Sequence, residues 1–398
     1  MNPSLFEDHL NYILEWWAPF VDWENGGIVT YVHPLKKVES TPRRAPLMHL
    51  RQLYNYSVGF EHGHAQSEHI AHHLYNSLYS SFPKRSGSLL VGNKSQKIED
   101  NSISSYLNAY HVIALSRYAL AFNHRAAAES ALQIYKELDL LFTDYDLKTL
   151  GTWDTFDPTT QQRSDKSDNA HIHRCEAALN LFRALKKVAP DQLEIEKNYL
   201  QSQIKDLLYF FDTRISRPED GLTVEHLADD CSPCAEFDYI YQSLAHGFEW
   251  LGFCFEIEAH CEITIPFMDD RMRRLSSRTL ENGLAPNGCF RNDFYPGSKS
   301  APLCATFWPQ VESILGVLWA RKRWGEQAFP LEKAQRMMNF YQQYFFKSEA
   351  LGGGILTTVS ENGCPISLNT GHNFKCDHHA VRMVEKVIDY NLLSGIPQ

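Results

Sequence analysis

Hydrophobic residues recur at helical spacing along most of the chain and predict about twelve amphipathic helices. The predicted segments are 4–19, 45–61, 64–82, 101–122, 124–143, 167–188, 191–213, 238–258, 266–282, 301–324, 330–347 and 371–393. After every other segment stands a glycine followed by a short strand-like run. These glycines are Gly27, Gly87, Gly151, Gly221, Gly288 and Gly354, separated by 60, 64, 70, 67 and 66 residues. Such a period predicts a repeated unit that buries its apolar face only against its neighbours.

The helix that follows each glycine is richer in apolar and aromatic residues than its partner, as expected of an inner and an outer layer. The run 106–122 is largely apolar, whereas 191–212 keeps Glu194, Glu196 and Lys197 on a solvated face. Six hairpins closing into a ring predict an all-α fold, an (α/α)6 barrel with short β-turns or hairpins on one face. No linker rich in proline, glycine or serine interrupts the pattern, so we expect residues 1–398 to form one domain.

Composition narrows the class of protein. Because 43% of the residues are hydrophobic, the chain has enough apolar material for a large core and is not a disordered protein. The formal net charge of −10 offers no broad basic field, so we expect no nucleic-acid partner. Apolar runs are shorter than the ~18–20 residues of a membrane span, and residues 1–8 lack a basic signal-peptide start. We therefore expect a cytoplasmic protein with no membrane partner, whose nine scattered cysteines stay reduced.

Ionisable residues interrupt the inner helices, where burying a charge without a partner is costly. One such polar residue per helix recurs at nearly the same spacing as the glycines. These residues are Arg51, Tyr110, His173, His246, Glu312 and His379. In a closed ring they would converge at one end of the central cavity. Residues three or four apart share a helix face, so Asn169 with His173 and His246 with Glu249 can point inward together. A carboxylate three residues from a histidine would raise the pKa of that histidine.

A metal site is the main competing interpretation, because His171-Ile-His173 and His378-His379 are rich in potential ligands. Residues one or two apart diverge by about 100° or 200° around a helix, so neither pair easily supplies two ligands to one ion. We therefore expect no metal and no other cofactor. Trp308 lies four residues before Glu312 on the same face, and an aromatic ring beside polar groups is what a sugar ring packs against. Core packing is the alternative role for Trp308.

Together these motifs resemble the N-acylglucosamine 2-epimerase superfamily, which includes cellobiose 2-epimerases, mannose isomerases and sulfoquinovose-type aldose–ketose isomerases. The motifs are His246-Gly-Phe-Glu249-Trp250, Trp308-Pro-Gln-Val-Glu312, Lys375-Cys-Asp-His-His379-Ala-Val-Arg382, Asn169-Ala-His-Ile-His173-Arg-Cys-Glu176 and Leu50-Arg51-Gln-Leu-Tyr54. The resemblance runs from about residue 16 to residue 390. It implies an (α/α)6 barrel that acts on free reducing sugars without a metal.

The resemblance also implies roles for individual residues. His246 and His379 match the family's two acid/base histidines, and Arg51 matches its cationic contact to the sugar. Glu249 and Glu312 match its carboxylates. His173 and Asn169 match its further polar wall. The sequence departs from the usual pattern at four places: Leu244-Ala245 replaces Pro-Gly, Phe307 replaces a tryptophan, Asn108 a histidine and His378 a tyrosine. These departures leave the histidine pair intact and bear on the choice of substrate.

The implied chemistry is ring opening followed by proton abstraction next to a carbonyl, through a cis-enediolate. We expect His379 to act as the base at C2 and His246 as the ring-opening acid/base, although the two roles could be exchanged. Arg51 would stabilise the enediolate oxyanion, and the two glutamates would orient the imidazoles. Tyr110 and Trp308 would complete the sugar-binding wall.

The sequence therefore predicts an aldose–ketose isomerase acting on a free hexose, D-mannose to D-fructose, with a monosaccharide as its partner. A 2-epimerase of the N-acylglucosamine or glucose/mannose type and a sulfosugar isomerase are the alternatives. A more distant one is a glycoside hydrolase on the same barrel, in which Glu249 and Glu312 would be the two carboxylates. The non-enzyme alternative is an α-solenoid scaffold or glycan-binding module. A monomer and a homo-oligomer are both compatible with the sequence.

Overall fold

The structure of the protein is a computed structural model. It describes residues 3–33, 37–38, 45–82, 84, 89–90, 102–145, 151–234, 242–291, 293–294, 304–346, 352–368, 370–371 and 375–394. Twelve α-helices lie within these residues: α1 (Pro3–Trp17), α2 (Pro46–Glu61), α3 (Ser67–Ser81), α4 (Ser105–Phe122), α5 (Arg125–Phe142), α6 (Asp168–Val188), α7 (Glu194–Phe210), α8 (Ala245–His260), α9 (Arg273–Gly283), α10 (Phe307–Trp324), α11 (Leu331–Tyr344) and α12 (His378–Asp389). A 3-10 turn (Ala18–Phe20) and two π-helical turns (Phe211–Ile215 and Met268–Met272) add to them.

The six even-numbered helices form a closed inner ring, in which α2, α4, α6, α8, α10 and α12 pack in that order and α12 returns to α2. The odd-numbered helices lie outside this ring; α1, for example, packs against both α12 and α2. Burial follows the two layers. Every residue of α4 from Leu107 to Leu120 is buried, whereas α5 buries a stripe at helical spacing, including Ala131, Tyr135 and Leu138. The (α/α)6 barrel predicted from the sequence is confirmed.

Short strands connect the helices at the end of the ring where the inner helices begin. They are β1 (Val32–His33), β2 (Lys37–Val38), β3 (Ile103–Ser104), β4 (Trp153–Asp157), β5 (Gln162–Ser167), β6 (Ser216–Arg217), β7 (Leu222–Thr223), β8 (His226–Leu227), β9 (Gln242–Ser243), β10 (Asp293–Phe294), β11 (Cys304–Thr306), β12 (Thr358–Ser360) and β13 (Pro365–Ser367). They form four antiparallel sheets, ordered β1-β2, β3-β4-β5-β8, β10-β9-β7-β6 and β11-β12-β13.

One strand register positions a residue of the site. β5 pairs with β8, with Ser167 opposite His226. The residue after β5, Asp168, is the first of α6 and donates its backbone N–H to the carbonyl of Glu225 at 3.0 Å. This register places Glu225, from the loop between β7 and β8, beside the first turn of α6.

The glycine period has a structural counterpart in every unit. One to three residues after each glycine, the chain pairs antiparallel with a residue just past the outer helix; the pairs are Val21↔Ile28, Lys84↔Leu90, Thr143↔Thr152, Ser216↔Thr223, Leu284↔Phe290 and Phe346↔Ile355. Gly288 shows why glycine is needed in such a turn. Its φ is +95°, and a Cβ there would lie 2.3 Å from the backbone oxygen of Arg336. The predicted repeat is confirmed for the described residues, and Gly87 itself lies outside them.

The predicted starts of three inner helices are too early. Helices expected from 238, 301 and 371 begin six or seven residues later, at Ala245, Phe307 and His378. Strands β9 and β11 precede two of these starts, because the residues there pair with β10 and β12 before the helix begins. Of the residues expected to be helical, 101, 238–241, 301–303, 347 and 372–374 lie outside the described part.

Two simpler expectations can also be compared with the structure. All nine cysteines are free of disulfide bonds in the structure. None of the helices formed by the described residues is both long enough and apolar enough to cross a membrane.

Candidate active site

A cavity of about 300 Å³ lies at the end of the ring where the inner helices begin. The first two turns of all six inner helices line it, with Arg51, Tyr106, Asn169, His173, His246, Glu249, Phe307, Trp308, His378 and His379. The connecting segments add Glu225, Thr306, Thr357, Lys375, Cys376 and Asp377. Ligand cavities span roughly 300–1,000 Å³, so this one is suited to a small ligand.

Seven of the nine predicted site residues line the cavity, namely Arg51, Asn169, His173, His246, Glu249, Trp308 and His379. Tyr110 and Glu312 are not among the residues that line it. Tyr110 is only 1% exposed and lies behind Arg51; Tyr106, one turn earlier on α4, takes its place in the cavity wall. Glu312 lies behind His379 and contacts its Nδ1.

His246 is held by two carboxylates. Its Nδ1 lies 2.9 Å from Glu225 Oε2 and 3.4 Å from Asp168 Oδ2. The indole N–H of Trp250 donates to the other oxygen of Asp168 at 2.9 Å and so fixes that carboxylate. Burial alone would lower the pKa of His246, but Glu225 and Asp168 outweigh it and raise the pKa well above 6.5. His246 is therefore an imidazolium, and hence a proton donor, at neutral pH.

This arrangement corrects the predicted partner of His246. Glu249, three residues along the same helix, was expected to orient the imidazole, but its Oε1 lies 3.2 Å from Nη1 of Arg382 instead. Burial and the nearby charge of Glu312 raise the pKa of Glu249 to about 8. Glu249 is therefore largely protonated at neutral pH and offers the cavity a neutral carboxylic acid.

His379 has the opposite charge preference. Its Nδ1 donates to Glu312 Oε1 at 2.8 Å, and Arg382 Nη1 donates to the same oxygen at 2.9 Å. Burial lowers the pKa of His379 below 6.5 even though Glu312 acts to raise it, and Arg51 and Arg382 lower it further. His379 is neutral at pH 7, and with Nδ1 protonated its Nε2 is free of hydrogen and basic.

A cationic and aromatic wall faces the two histidines. Nη2 of Arg51 donates to the hydroxyls of Tyr106 at 2.7 Å and Tyr110 at 2.9 Å. Beside them, His173 Nδ1 lies 2.9 Å from Glu176 Oε2, in agreement with the predicted pairing. Burial lowers the pKa of His173 to about 4 although Glu176 acts to raise it, so this imidazole is neutral as well. The upward shift predicted from a carboxylate three residues away is therefore wrong for His173.

Trp308 lies between the imidazoles of His246 and His379. The centroid of its ring lies 5.0 Å from that of His246 and 5.8 Å from that of His379. The indole is partly exposed to the cavity, as expected of an aromatic platform.

Several groups at this site were missed by sequence reasoning. Glu225 stands outside any helix, and Asp168 follows the cap of α6, so neither belongs to an inward-facing helical pattern. Only the β5–β8 register brings them to His246. Lys375 also lines the cavity, but its Nζ is bound to Asp377 and to the carbonyl of Thr370.

Two groups of residues could hold a cation, because their candidate ligand atoms lie within 4.8 Å of one another. They are Asp168, Glu225 and His246, and Glu249, Glu312 and His379. In the second group Arg382 already supplies positive charge to both glutamates. The histidine pairs singled out in the sequence do not form such a group among the described residues: His171 is stacked on Phe210, with centroids 4.3 Å apart, outside the cavity lining.

Comparisons with known proteins find relatives that match nearly the whole chain. A cellobiose 2-epimerase of Eubacterium cellulosolvens is 21% identical over 99% of this chain and 100% of its own length. The solved structure of cellobiose 2-epimerase from Bacillus thermoamylovorans superposes with a TM-score of 0.85 at 19% identity, covering 98% of this chain and 99% of that one. A D-mannose isomerase structure superposes with a TM-score of 0.83 at 17% identity and 97% coverage of both chains.

At these identities the structural likeness establishes the fold, whereas the family follows from the sequence itself. The sequence profile described as N-acylglucosamine 2-epimerase (GlcNAc 2-epimerase) matches residues 27–367, well over half of the chain. The region matched includes five of the six inner helices and the cavity residues that they carry. The chain therefore belongs to the N-acylglucosamine 2-epimerase family of sugar epimerases and isomerases.

Proposed function

We propose that this protein opens the ring of a free reducing aldose and moves its C2 proton through a cis-enediolate, with His379 as base and His246 as acid. One observation carries the proposal: two imidazoles on either side of Trp308 have opposite charge preferences. A base must be neutral and an acid protonated at the same pH, and this pair meets both conditions. Because α1 packs against both α2 and α12, we further propose that the whole chain acts as one catalytic domain.

The first proposed step opens the sugar ring. The His246 imidazolium donates its proton to the ring oxygen while the neutral imidazole of His173 takes the proton of the anomeric hydroxyl, which leaves His379 neutral for the next step. The open aldehyde then has an acidified proton at C2. Glu225 and Asp168 stabilise the charged form of His246 that begins this step.

The second proposed step is the proton transfer at C2. Nε2 of His379 abstracts the proton, and Nδ1 donates to Glu312 throughout, which stabilises the imidazolium that forms. The enediolate oxygen needs fixed positive or hydrogen-bonding partners, and Arg51 and the protonated Glu249 supply them from the cavity wall. These groups leave no step that requires a metal, so we propose metal-independent catalysis.

We propose that the outcome is aldose–ketose isomerisation, with D-mannose to D-fructose as the reaction to test first. In that reaction the proton on O2 passes to O1, His379 returns the abstracted proton to C1 on the same face, and His246 need not serve as a carbon base. In a reversible 2-epimerase, by contrast, His246 would have to abstract a carbon-bound proton when the reaction runs in reverse. The two carboxylates beside His246 disfavour its neutral form, which supports the single-base outcome.

The second candidate is a sugar 2-epimerase. It is favoured by the cellobiose 2-epimerases that match nearly the whole chain. The hydrolase alternative has less support, because Glu312 lies outside the cavity lining and shares Nη1 of Arg382 with Glu249. The two carboxylates predicted for glycosidic cleavage therefore do not flank a common ligand site.

The experiment is incubation of the protein with mannose, glucose, fructose and a sulfonated hexose in D2O, followed by proton NMR. Isomerisation would produce ketose resonances from mannose, whereas epimerisation would produce glucose with deuterium at C2. We expect His379→Asn to lower either rate by about 10²- to 10⁴-fold. His111→Asn is the matched control, since His111 is a buried imidazole outside the cavity lining. No change in any of the four sugars would overturn the proposal.

A further inference from the structure

We infer that His378 is a specificity-determining residue whose Nε2 accepts a hydrogen bond from one hydroxyl of the substrate. The inference deepens the proposed function and rests on it, because the donor is taken to be a sugar hydroxyl. His378 lines the same cavity as His379 but has a different set of neighbours. Its side chain is only 1% exposed.

The tautomer of His378 follows from its neighbour Asn55. The side-chain amide of Asn55 donates from Nδ2 to Gln52 Oε1 at 3.3 Å and to the carbonyl of Cys376 at 3.2 Å. These two acceptors fix the orientation of the amide, so Oδ1 is the atom that lies 3.1 Å from Nδ1 of His378. An amide oxygen can only accept, so Nδ1 of His378 carries the hydrogen.

The ring also stays neutral. Burial lowers the pKa of His378 well below 6.5, and the positive charge of Arg51 lowers it further. The rings of Tyr54 and Tyr110 pack against it edge to face, with centroids 4.6 and 5.5 Å away. A neutral imidazole with hydrogen on Nδ1 has a lone pair and no hydrogen on Nε2.

That lone pair lacks a partner. Nε2 of His378 is buried and has no hydrogen-bond partner among the residues that the structure describes. A buried acceptor left unpaired is costly, so the site gains free energy when a ligand supplies a donor. Since the residue lines the cavity, a hydroxyl group of a bound sugar can supply it. The acceptor has no hydrogen to give, and therefore discriminates against a substrate with a pure acceptor at that position.

Deoxy sugars test the inference. On the aldose that the wild-type protein converts, we expect one of the 3-, 4- and 6-deoxy analogues to lose about tenfold to a hundredfold in kcat/KM, because it leaves Nε2 unpaired. The corresponding fluorodeoxy analogue should lose as much, since fluorine cannot donate. His378→Asn keeps a nitrogen donor toward Asn55 and removes the Nε2 acceptor. That variant should lose a similar factor on the parent sugar and show no further loss on the critical analogue.

The control variant is again His111→Asn, which should discriminate as the wild type does. If His378→Asn still discriminates against every deoxy analogue as strongly as the wild type, the inference is overturned while the proposed function stands. If the wild type converts no aldose, the proposed function fails separately.

A second measurement uses the wild-type protein alone and covers the case in which the variant does not fold. In ¹⁵N NMR, the resonance of the unprotonated Nε2 of His378 should move when the parent sugar binds and should not move with the critical deoxy analogue. A binding sugar that leaves this resonance unchanged would overturn the inference.

Discussion

His246 and His379 each lie beside carboxylates, yet the pKa of the first is raised and that of the second is lowered. The difference lies in the counter-charges. Within the described residues, Asp168 and Glu225 contact no lysine or arginine, so their negative charge acts on His246 alone. Beside His379, the guanidinium of Arg382 contacts Glu312 and thereby offsets its charge.

The comparison teaches that a carboxylate next to a histidine does not by itself set the pKa of that histidine. Burial lowers the pKa of both imidazoles, and the net charge of the surroundings decides whether this is reversed. For the wild type, we expect kcat/KM to have a broad plateau across neutral pH. It should fall in acid as His379 is protonated and fall in alkali as His246 loses its proton.

The largest expected effect comes from making the His246 side less negative. The double variant Asp168→Asn, Glu225→Gln keeps an acceptor for the indole N–H of Trp250 but removes both charges. The pKa of His246 should then fall, so that the imidazole is neutral at pH 8 and kcat/KM there drops by about 10²- to 10⁴-fold. The pH profile is the measurement. Activity should recover near pH 6, and an equal loss at both pH values would contradict the electrostatic explanation.

A smaller effect is expected from weakening the cation on the His379 side. In Arg382→Lys a single ammonium group replaces the guanidinium group that contacts Glu176, Glu249 and Glu312. The pKa of His379 should rise, which moves the acid limb of the kcat/KM profile to higher pH. A rise of about one pKa unit lowers the rate on that limb tenfold and leaves pH 8 nearly unchanged.

Glu312→Gln is the matched control for Arg382→Lys. The glutamine oxygen can still accept from Nδ1 of His379, but the negative charge is gone. The acid limb should therefore move in the opposite direction, to lower pH. If both variants shift that limb the same way, the balance of charge around His379 does not control its pKa.

The smallest expected effect concerns the ring between the two imidazoles. Trp308→Phe keeps an aromatic surface but shortens it beside His246 and His379. We expect KM to rise about two- to tenfold with kcat little changed, because the contact with the sugar is weakened without altering the charges. Steady-state kinetics measure the split, and unchanged pH limbs distinguish this variant from the charge variants. A loss confined to kcat would contradict the platform role.

The fold could be predicted from the sequence because its signals are local and repeated. Glycines such as Gly221 and Gly288 mark turns that require a positive φ, and two helices follow at a constant interval. The helix starts at Ala245 and Phe307 could not be predicted, because short apolar segments satisfy strand and helix patterns equally well.

The sequence predicted those residues of the candidate site that share an inward-facing helix face. Spacing identified His246 and His379. It could not show which of Tyr106 and Tyr110 lines the cavity, because the two are one turn apart on the same helix face and differ only in depth. Glu225 had no signal in the sequence, since its contact with His246 depends on the pairing of two distant strands. A contact between side chains of different secondary-structure elements can be predicted only once the tertiary fold is known.

All six inner helices begin at the cavity, so six helix N-termini are directed toward one small volume. Each terminus carries the equivalent of roughly half a positive charge from its aligned peptide dipoles. The backbone thus contributes a positive electrostatic potential that does not depend on any single side chain. We expect this potential to stabilise the proposed enediolate, to oppose binding of an amino sugar that carries a free ammonium group, and to persist in variants that lack Arg51.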